Sequence, residues 1–255
     1  MMRQNRLKQT IKNGGFALGT FAKSSDPSVV EILGLSGFDF FVLDNEHVAM
    51  NRESMGNILR AADASGIVPI VRVRENREVE ILQALDAGAA GVQVPNVDTA
   101  EQARALVDSV KYTPVGKRGF SPSVRAAGYG TMDKKEYVKM SNENTLIVSH
   151  CETVTCIENL DEILKLPEVD VIFIGPMDLS QSLGVIGEDS HPLVVEAIDG
   201  IIKKVLSANK AVGITAGNAA KAKEYIQRGV QYLLMSTDQA MIATMSKQLV
   251  KGARE

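Results

Sequence analysis

Eight short apolar runs recur along this chain, at residues 16–21, 38–44, 68–73, 91–94, 145–149, 171–174, 211–215 and 232–235. A stretch with helical periodicity or helix-capping signals follows each one. After the first, Asp26 stands at an N-cap and Pro27 at the first helical position. After the fourth, residues 98–101 have the spacing of a capping box, ahead of the stripe Ala103, Leu106, Val107 and Val110. After the sixth, residues 192–206 form a long helix with Val195, Ile198, Ile202 and Val205 recurring. Eight strand–helix units within 255 residues predict an α/β fold of one domain, a (β/α)₈ TIM barrel over 1–255. A short helix at residues 3–12, with Leu7 and Ile11 on one side, precedes it. A helical extension from Asp238 follows. A doubly wound sheet is the rival, but no G-x-G-x-x-G follows the first run, so a nucleotide site of that kind has little support.

The barrel reading sends function to the C-terminal strand ends. Asp178 follows the run at 171–174 after the turn Gly175-Pro176, and Glu152 follows the run at 145–149. Two carboxylates at two strand ends are candidates for a hard divalent cation, which prefers oxygen ligands. They would leave positions for water and a bidentate 2-oxo acid. The bland alternative is a pair of capping acids. Arg72 interrupts the third run, and a charge there needs a partner or a ligand. It stabilises a developing enolate, or it pairs with Asp44 or Glu46. His47, past the second run, moves a proton near neutral pH, or is an exposed loop histidine. His150 and Cys151 flank Glu152; Cys151 is read as packing, and alternation allows one to point inward and the other outward.

From 112 to 144 the periodicity is lost. The segment holds several glycines, Tyr129, Tyr137 and the cations Lys117, Arg118 and Arg125. A loop this long is expected to be functional, with its cations suited to extra carboxylates on a substrate. Composition excludes more than it identifies. The 28 basic and 31 acidic side chains leave a formal charge of -3, which favours neither nucleic acid nor an anionic membrane. The two cysteines make no disulfide framework and no zinc set, which reads as a cytoplasmic protein. The first fourteen residues are polar and are not expected to be a signal peptide. No apolar run reaches bilayer length.

Several stretches together resemble the HpcH/HpaI aldolase family, the class II metal-dependent pyruvate aldolases that include 2-keto-3-deoxy sugar acid aldolases. They are DNEH at 44–47, VRV at 71–73, LDAGAAGVQVP at 85–95, YTPVGKRG at 112–119, CETVTCIENLDEIL from 151 and FIGPMDLSQSLG from 173. The likeness runs from Gly19 to about Ala243. It implies reversible cleavage of a 4-hydroxy-2-oxo acid to pyruvate and an aldehyde. The alternatives are a related carbon–carbon lyase or condensing enzyme using another 2-oxo acid, and a non-catalytic barrel. By the same resemblance Glu152 and Asp178 hold Mg²⁺, Mn²⁺ or Co²⁺, and Arg72 binds the pyruvyl oxygen. His47 is the acid–base group, and Asp44 and Asp86 orient it and its surroundings. Backbone donors at Gly175-Pro176 face the substrate carboxylate. The resemblance also implies a homo-oligomer, a hexamer whose last helix crosses to a neighbour. The chain departs from the family pattern at His150, where Gln is common, at Asn45 for Gly and at Met177 for Ala.

Overall fold

Period-two alternation along each strand separates two apolar layers, and the architecture follows from that separation. The computed structural model describes residues 4–255, so the expected helix start at Arg3 lies outside the described residues. Eight strands run β1 Ala17–Ala22, β2 Phe40–Asp44, β3 Val68–Arg72, β4 Gly91–Val94, β5 Leu146–Cys151, β6 Val171–Ile174, β7 Ala211–Ala216 and β8 Tyr232–Thr237. Each pairs in parallel with the next, and β8 pairs with β1 to close the barrel. The (β/α)₈ reading therefore holds.

The helices are α1 Arg6–Lys12, α2 Pro27–Leu35, α3 Arg52–Ser65, α4 Glu78–Asp86, α5 Ala100–Val110, α6 Lys134–Asn144, α7 Val154–Leu164, α8 Pro176–Ser182, α9 Pro192–Ser207, α10 Ala219–Gln227 and α11 Asp238–Arg254. Their starts are chemically marked. Asp26 accepts the N–H of Ser28 with Pro27 at the first position of α2, as the sequence predicts. The capping box of α5 lies one residue later than expected. Thr99 and Gln102 form it reciprocally, while Asp98 accepts the hydroxyl of Thr153 instead.

Phe41, Leu43, Val71, Val92, Ile147, Cys151 and Ile172 pack with helix residues in the layer between sheet and helices. Phe40, Val42, Ile70, Val148, Phe173 and Tyr232 pack among themselves inside the barrel, where Leu7 and Ile11 of α1 join them. Two glycines make room for the interior rings. A Cβ at Gly19 would lie 2.5 Å from the Phe40 ring, and one at Gly213 would lie 2.8 Å from Phe173 and 2.9 Å from Tyr232.

The segment from 112 to 144 is more regular than its lost periodicity suggests. It contains a 3₁₀ turn at Arg125–Gly130 and the eleven-residue α6, and it joins the end of α5 to the start of β5. That connection places it at the N-terminal rim of the barrel, opposite the strand ends that carry catalysis in this fold. Its cations are already matched: Lys117 with Asp108, Arg118 with Asp86 and Arg125 with Asp63. Arg118 is buried and stacks its guanidinium on Tyr112, which itself contacts Tyr137 and Phe120. These contacts hold the loop on the barrel floor. Among the described residues no helix is long and apolar enough to cross a membrane.

Candidate active site

Asp44 and Arg72 are the last residues of adjacent strands and stand opposite each other in register. Both side chains are buried, and neither charge can be left unpaired there. Arg72 Nε and Nη2 donate to the two Asp44 oxygens at 3.0 and 2.8 Å, a bidentate fork. Its Nη1 lies 2.9 Å from Glu46 Oε2, and its guanidinium carbon sits 4.6 Å from the centre of the Phe21 ring. Lys23 Nζ reaches Asp44 Oδ2 at 3.4 Å. Burial works against ionisation of Asp44, but Arg72 prevails and holds its carboxyl below the usual range. Glu46 goes the other way: burial outweighs Arg72 and raises it.

Asp44 Oδ1 also accepts the backbone N–H groups of Glu46 and His47. It therefore shapes the turn that carries His47, by way of the backbone and not the ring. The His47 side chain is 57% exposed, with Glu46 Oε2 3.9 Å from its Nε2. Asp86 does not join this group. It closes α4, at the opposite rim from the strand ends, and binds Arg118. Within one chain Asp86 is thus remote from His47, because a barrel helix ends where the next strand begins.

Glu152 directly follows β5 and is 4% exposed. Its Oε1 accepts the N–H of Asn96 at 3.1 Å, and its Oε2 lies 2.6 Å from His150 Nδ1. Burial opposes its ionisation, yet His150 and the Asn96 N–H bring its carboxyl below the usual range. Gly175 presses against it: an added Cβ would sit 2.6 Å from Glu152 Oε2. Three residues on, in the first turn of α8, Asp178 is exposed, and among the described residues its carboxylate has no hydrogen bond or ion pair. Pro176 has no N–H, so the donors this turn can offer are those of Met177 and Asp178.

These residues fit a hard divalent cation. One carboxylate is fixed by His150 and the Asn96 N–H, one is exposed, and the bare backbone of Gly175 sits against the first, where a side chain would intrude. Among the described residues no set of three or more His, Cys, Asp or Glu side chains gathers as a metal cage. Ligation by these two carboxylates would leave the remaining positions to water and substrate.

A cavity of about 740 Å³ lies beside this group, lined among others by Phe21, Lys23, Arg72, Pro176, Met177 and Thr215. Sequence reasoning missed Lys23, Gln93 and Tyr232 as members of the site, and it named Glu46 only as a candidate partner of Arg72, which it is. Lys23 had a findable signal, since it directly follows β1. Gln93 and Tyr232 are hidden inside apolar runs, where alternation gives a direction but no role. His150 points inward to Glu152, while Cys151 joins the outer packing layer, as read from alternation.

The sequence model of the HpcH/HpaI aldolase/citrate lyase family matches residues 17–243. A 2-dehydro-3,6-dideoxy-6-sulfogluconate aldolase of Pseudomonas putida is 38% identical over 240 residues, covering 94% of this chain and 93% of the relative. A 2-keto-3-deoxy-L-rhamnonate aldolase of Salmonella gallinarum is 34% identical over 235 residues, covering 92% and 87%. The crystal structure of a family protein from Burkholderia cenocepacia superposes with a TM-score of 0.94 at 29% identity, covering 99% of this chain and 100% of that one. The chain belongs to the HpcH/HpaI aldolase/citrate lyase family.

Proposed function

We propose that this family member is a divalent-metal-dependent aldolase, a carbon–carbon lyase that reversibly cleaves a 4-hydroxy-2-oxo acid into pyruvate and an aldehyde. The observation that carries the reading is the buried carboxylate of Glu152, braced by His150 and the Asn96 N–H and pressed against Gly175, with Asp178 exposed in the helical turn that Gly175 opens. The named relatives act on 2-keto-3-deoxy acids, which supports a sugar-acid-derived substrate of that class. Glu152 and Asp178 hold Mg²⁺, Mn²⁺ or Co²⁺. When bound, such a cation polarises the 2-oxo group as a Lewis acid.

The chain's own groups supply the rest. Cleavage breaks the bond between C3 and C4, turns the C4 hydroxyl into a carbonyl and leaves the electron pair on the pyruvyl fragment as an enolate. Arg72 stands ready with guanidinium donors beyond those used by Asp44 and Glu46, and it stabilises the oxygen on which this charge develops. Its fork is held by Asp44, so it does not have to reorganise during the reaction. His47 takes the C4 hydroxyl proton, on a turn that Asp44 fixes. The N–H groups of Met177 and Asp178 meet the substrate carboxylate.

The enzyme works as an oligomer, a hexamer by family analogy. The support is α11, whose Ile242, Met245, Leu249 and Val250 are all exposed. Sedimentation at micromolar concentration should give an assembly, and a monomer would remove the idea. Two buried unpaired thiols, Cys151 and Cys156, suit a cytoplasmic location.

The deciding experiment titrates the protein with Mn²⁺ and follows pyruvate release from a panel of 2-keto-3-deoxy acids. Glu152→Gln and Asp178→Asn should each weaken metal binding and lose cleavage while remaining folded. Unchanged titration curves in both variants would remove the metal assignment.

A further inference from the structure

A line of buried polar groups crosses the barrel interior behind Glu152. The Tyr232 hydroxyl on β8 donates to Gln93 Oε1 on β4 at 2.9 Å. Gln93 Nε2 lies 2.8 Å from His150 Nε2 on β5, and His150 Nδ1 lies 2.6 Å from Glu152 Oε2. All four side chains are buried, in an interior otherwise filled by Phe40, Phe173, Val148 and Leu234. Phe173 packs against both the imidazole and the Tyr232 ring, with centroids 5.0 and 6.0 Å away.

The direction of this line follows from the chemistry of its members. Tyr232 has a single hydrogen-bond partner among the described residues, and a buried hydroxyl proton needs an acceptor. That acceptor is Gln93 Oε1, so the amide turns its NH₂ towards His150. His150 Nε2 must then accept, which leaves the ring proton on Nδ1, aimed at the Glu152 carboxylate. Reversing the amide would make two changes at once. The Tyr232 proton would lose its acceptor, and His150 would need a proton on both nitrogens, since Nδ1 already faces a carboxylate. The Nδ1–H tautomer orients the carboxylate through one hydrogen bond and leaves its other oxygen to the Asn96 N–H and a cation.

We propose that Tyr232 and Gln93 are positioning residues which, by setting the His150 tautomer, prepare Glu152 to receive the divalent cation. This rests on the reading of Glu152 as a metal ligand. It assigns a role to a phenol and an amide that reach Glu152 only through His150, and it explains what His150 does at a position where the family commonly carries Gln.

The test uses the metal-free protein with ¹⁵N-labelled histidine, and then Mn²⁺ titration of the same samples. Wild type should show His150 as the Nδ1–H tautomer before any metal is added. Tyr232→Phe, which removes one oxygen from a packed site, should lose that single tautomer and bind Mn²⁺ about tenfold more weakly. Gln93→Glu keeps the shape but offers acceptors to both neighbours. It should place a proton on His150 Nε2 and weaken Mn²⁺ binding further. Glu152→Gln serves as the control for the underlying reading. If it binds Mn²⁺ like wild type, Glu152 is no ligand, and the proposal falls with that assignment. If Glu152→Gln loses the metal while Tyr232→Phe and Gln93→Glu keep both the wild-type tautomer and affinity, the relay alone is overturned.

Discussion

Arg72 concentrates the conflict between stability and chemistry in one side chain. Its fork neutralises a fully buried Asp44, and its Nη1 neutralises Glu46, so Arg72→Ala strands two carboxylates at once. Lys23, 3.4 Å from Asp44, relieves only part of that. The variant should lose about 3 kcal/mol of stability and, independently, roughly a hundredfold in cleavage rate. Deuterium uptake at the pyruvate methyl group, read by NMR, should fall with cleavage. Arg72→Lys should recover part of the stability but little of the rate, because a point charge cannot span both Asp44 oxygens. His47→Ala should separate the two readouts, damaging cleavage more than exchange. Near-wild-type exchange in Arg72→Ala would make the pair with Asp44 purely structural. The strand-end rule made Asp44, Arg72 and Glu152 readable without a structure, because each closes or follows an apolar run. The same rule could not place Asp86, whose run of neighbours looks similar but ends a helix. Nor could it reach Gln93 and Tyr232, whose importance lies in a contact across the barrel.

At the scale of elements, the turn from β6 into α8 does the most for the site. Gly175 has an ordinary negative φ of -98°, so alanine is permitted there by the backbone. The obstacle is Glu152, whose Oε2 would lie 2.6 Å from the new methyl group. Gly175→Ala should thus leave the fold intact and displace the carboxylate. Mn²⁺ affinity should fall at least tenfold, while the thermal midpoint moves by only a few degrees. A variant with unaltered Mn²⁺ affinity would show that this close approach is unrelated to the metal. Elements with a strong apolar period or a Pro-marked start, such as α2 and α9, were legible to within a residue or two. α6 was not, because within Lys134–Asn144 only Tyr137 and Ser141 are buried and no apolar stripe repeats. Its helix depends on Asp133, which accepts the N–H groups of Lys135 and Glu136, and on Tyr137 packing against Tyr112 and Phe120. The first is a local cap and the second a tertiary contact, and periodicity records neither.

The molecule as a whole divides its labour between two rims, and the N-terminal rim has a pH dependence of its own. Lys111, at the end of α5, is 2% exposed and donates to the carbonyls of Asn142 and Thr145, anchoring the start of β5. Lys8 of α1 donates to the same Thr145 carbonyl and pairs with Asp170. Burial, reinforced by the nearby charge of Lys8, pushes Lys111 down to about 7. Its unfolded value is near the ordinary 10.5. Between those two values the unfolded chain binds a proton that the folded chain has released. Stability must therefore rise as pH rises through that window, because unfolding there takes up protons. The acid side has the opposite origin. Asp44 and Glu152 are held below their usual range, so their stabilisation is complete above the ordinary carboxyl value and is lost as pH falls through the folded one. Urea unfolding at pH 7 and pH 9.5 measures the alkaline effect, and Lys111→Met isolates it. Wild type should unfold at a higher urea midpoint at pH 9.5. The Met variant should lack that increase, although loss of two carbonyl contacts lowers its midpoint at both pH values. Cleavage kinetics at saturating metal should follow the same pH profile in the two proteins, since Lys111 lies at the far end of the barrel from Arg72 and Glu152. An equal alkaline gain in both proteins would mean that Lys111 keeps its proton in the fold and that another group drives the change.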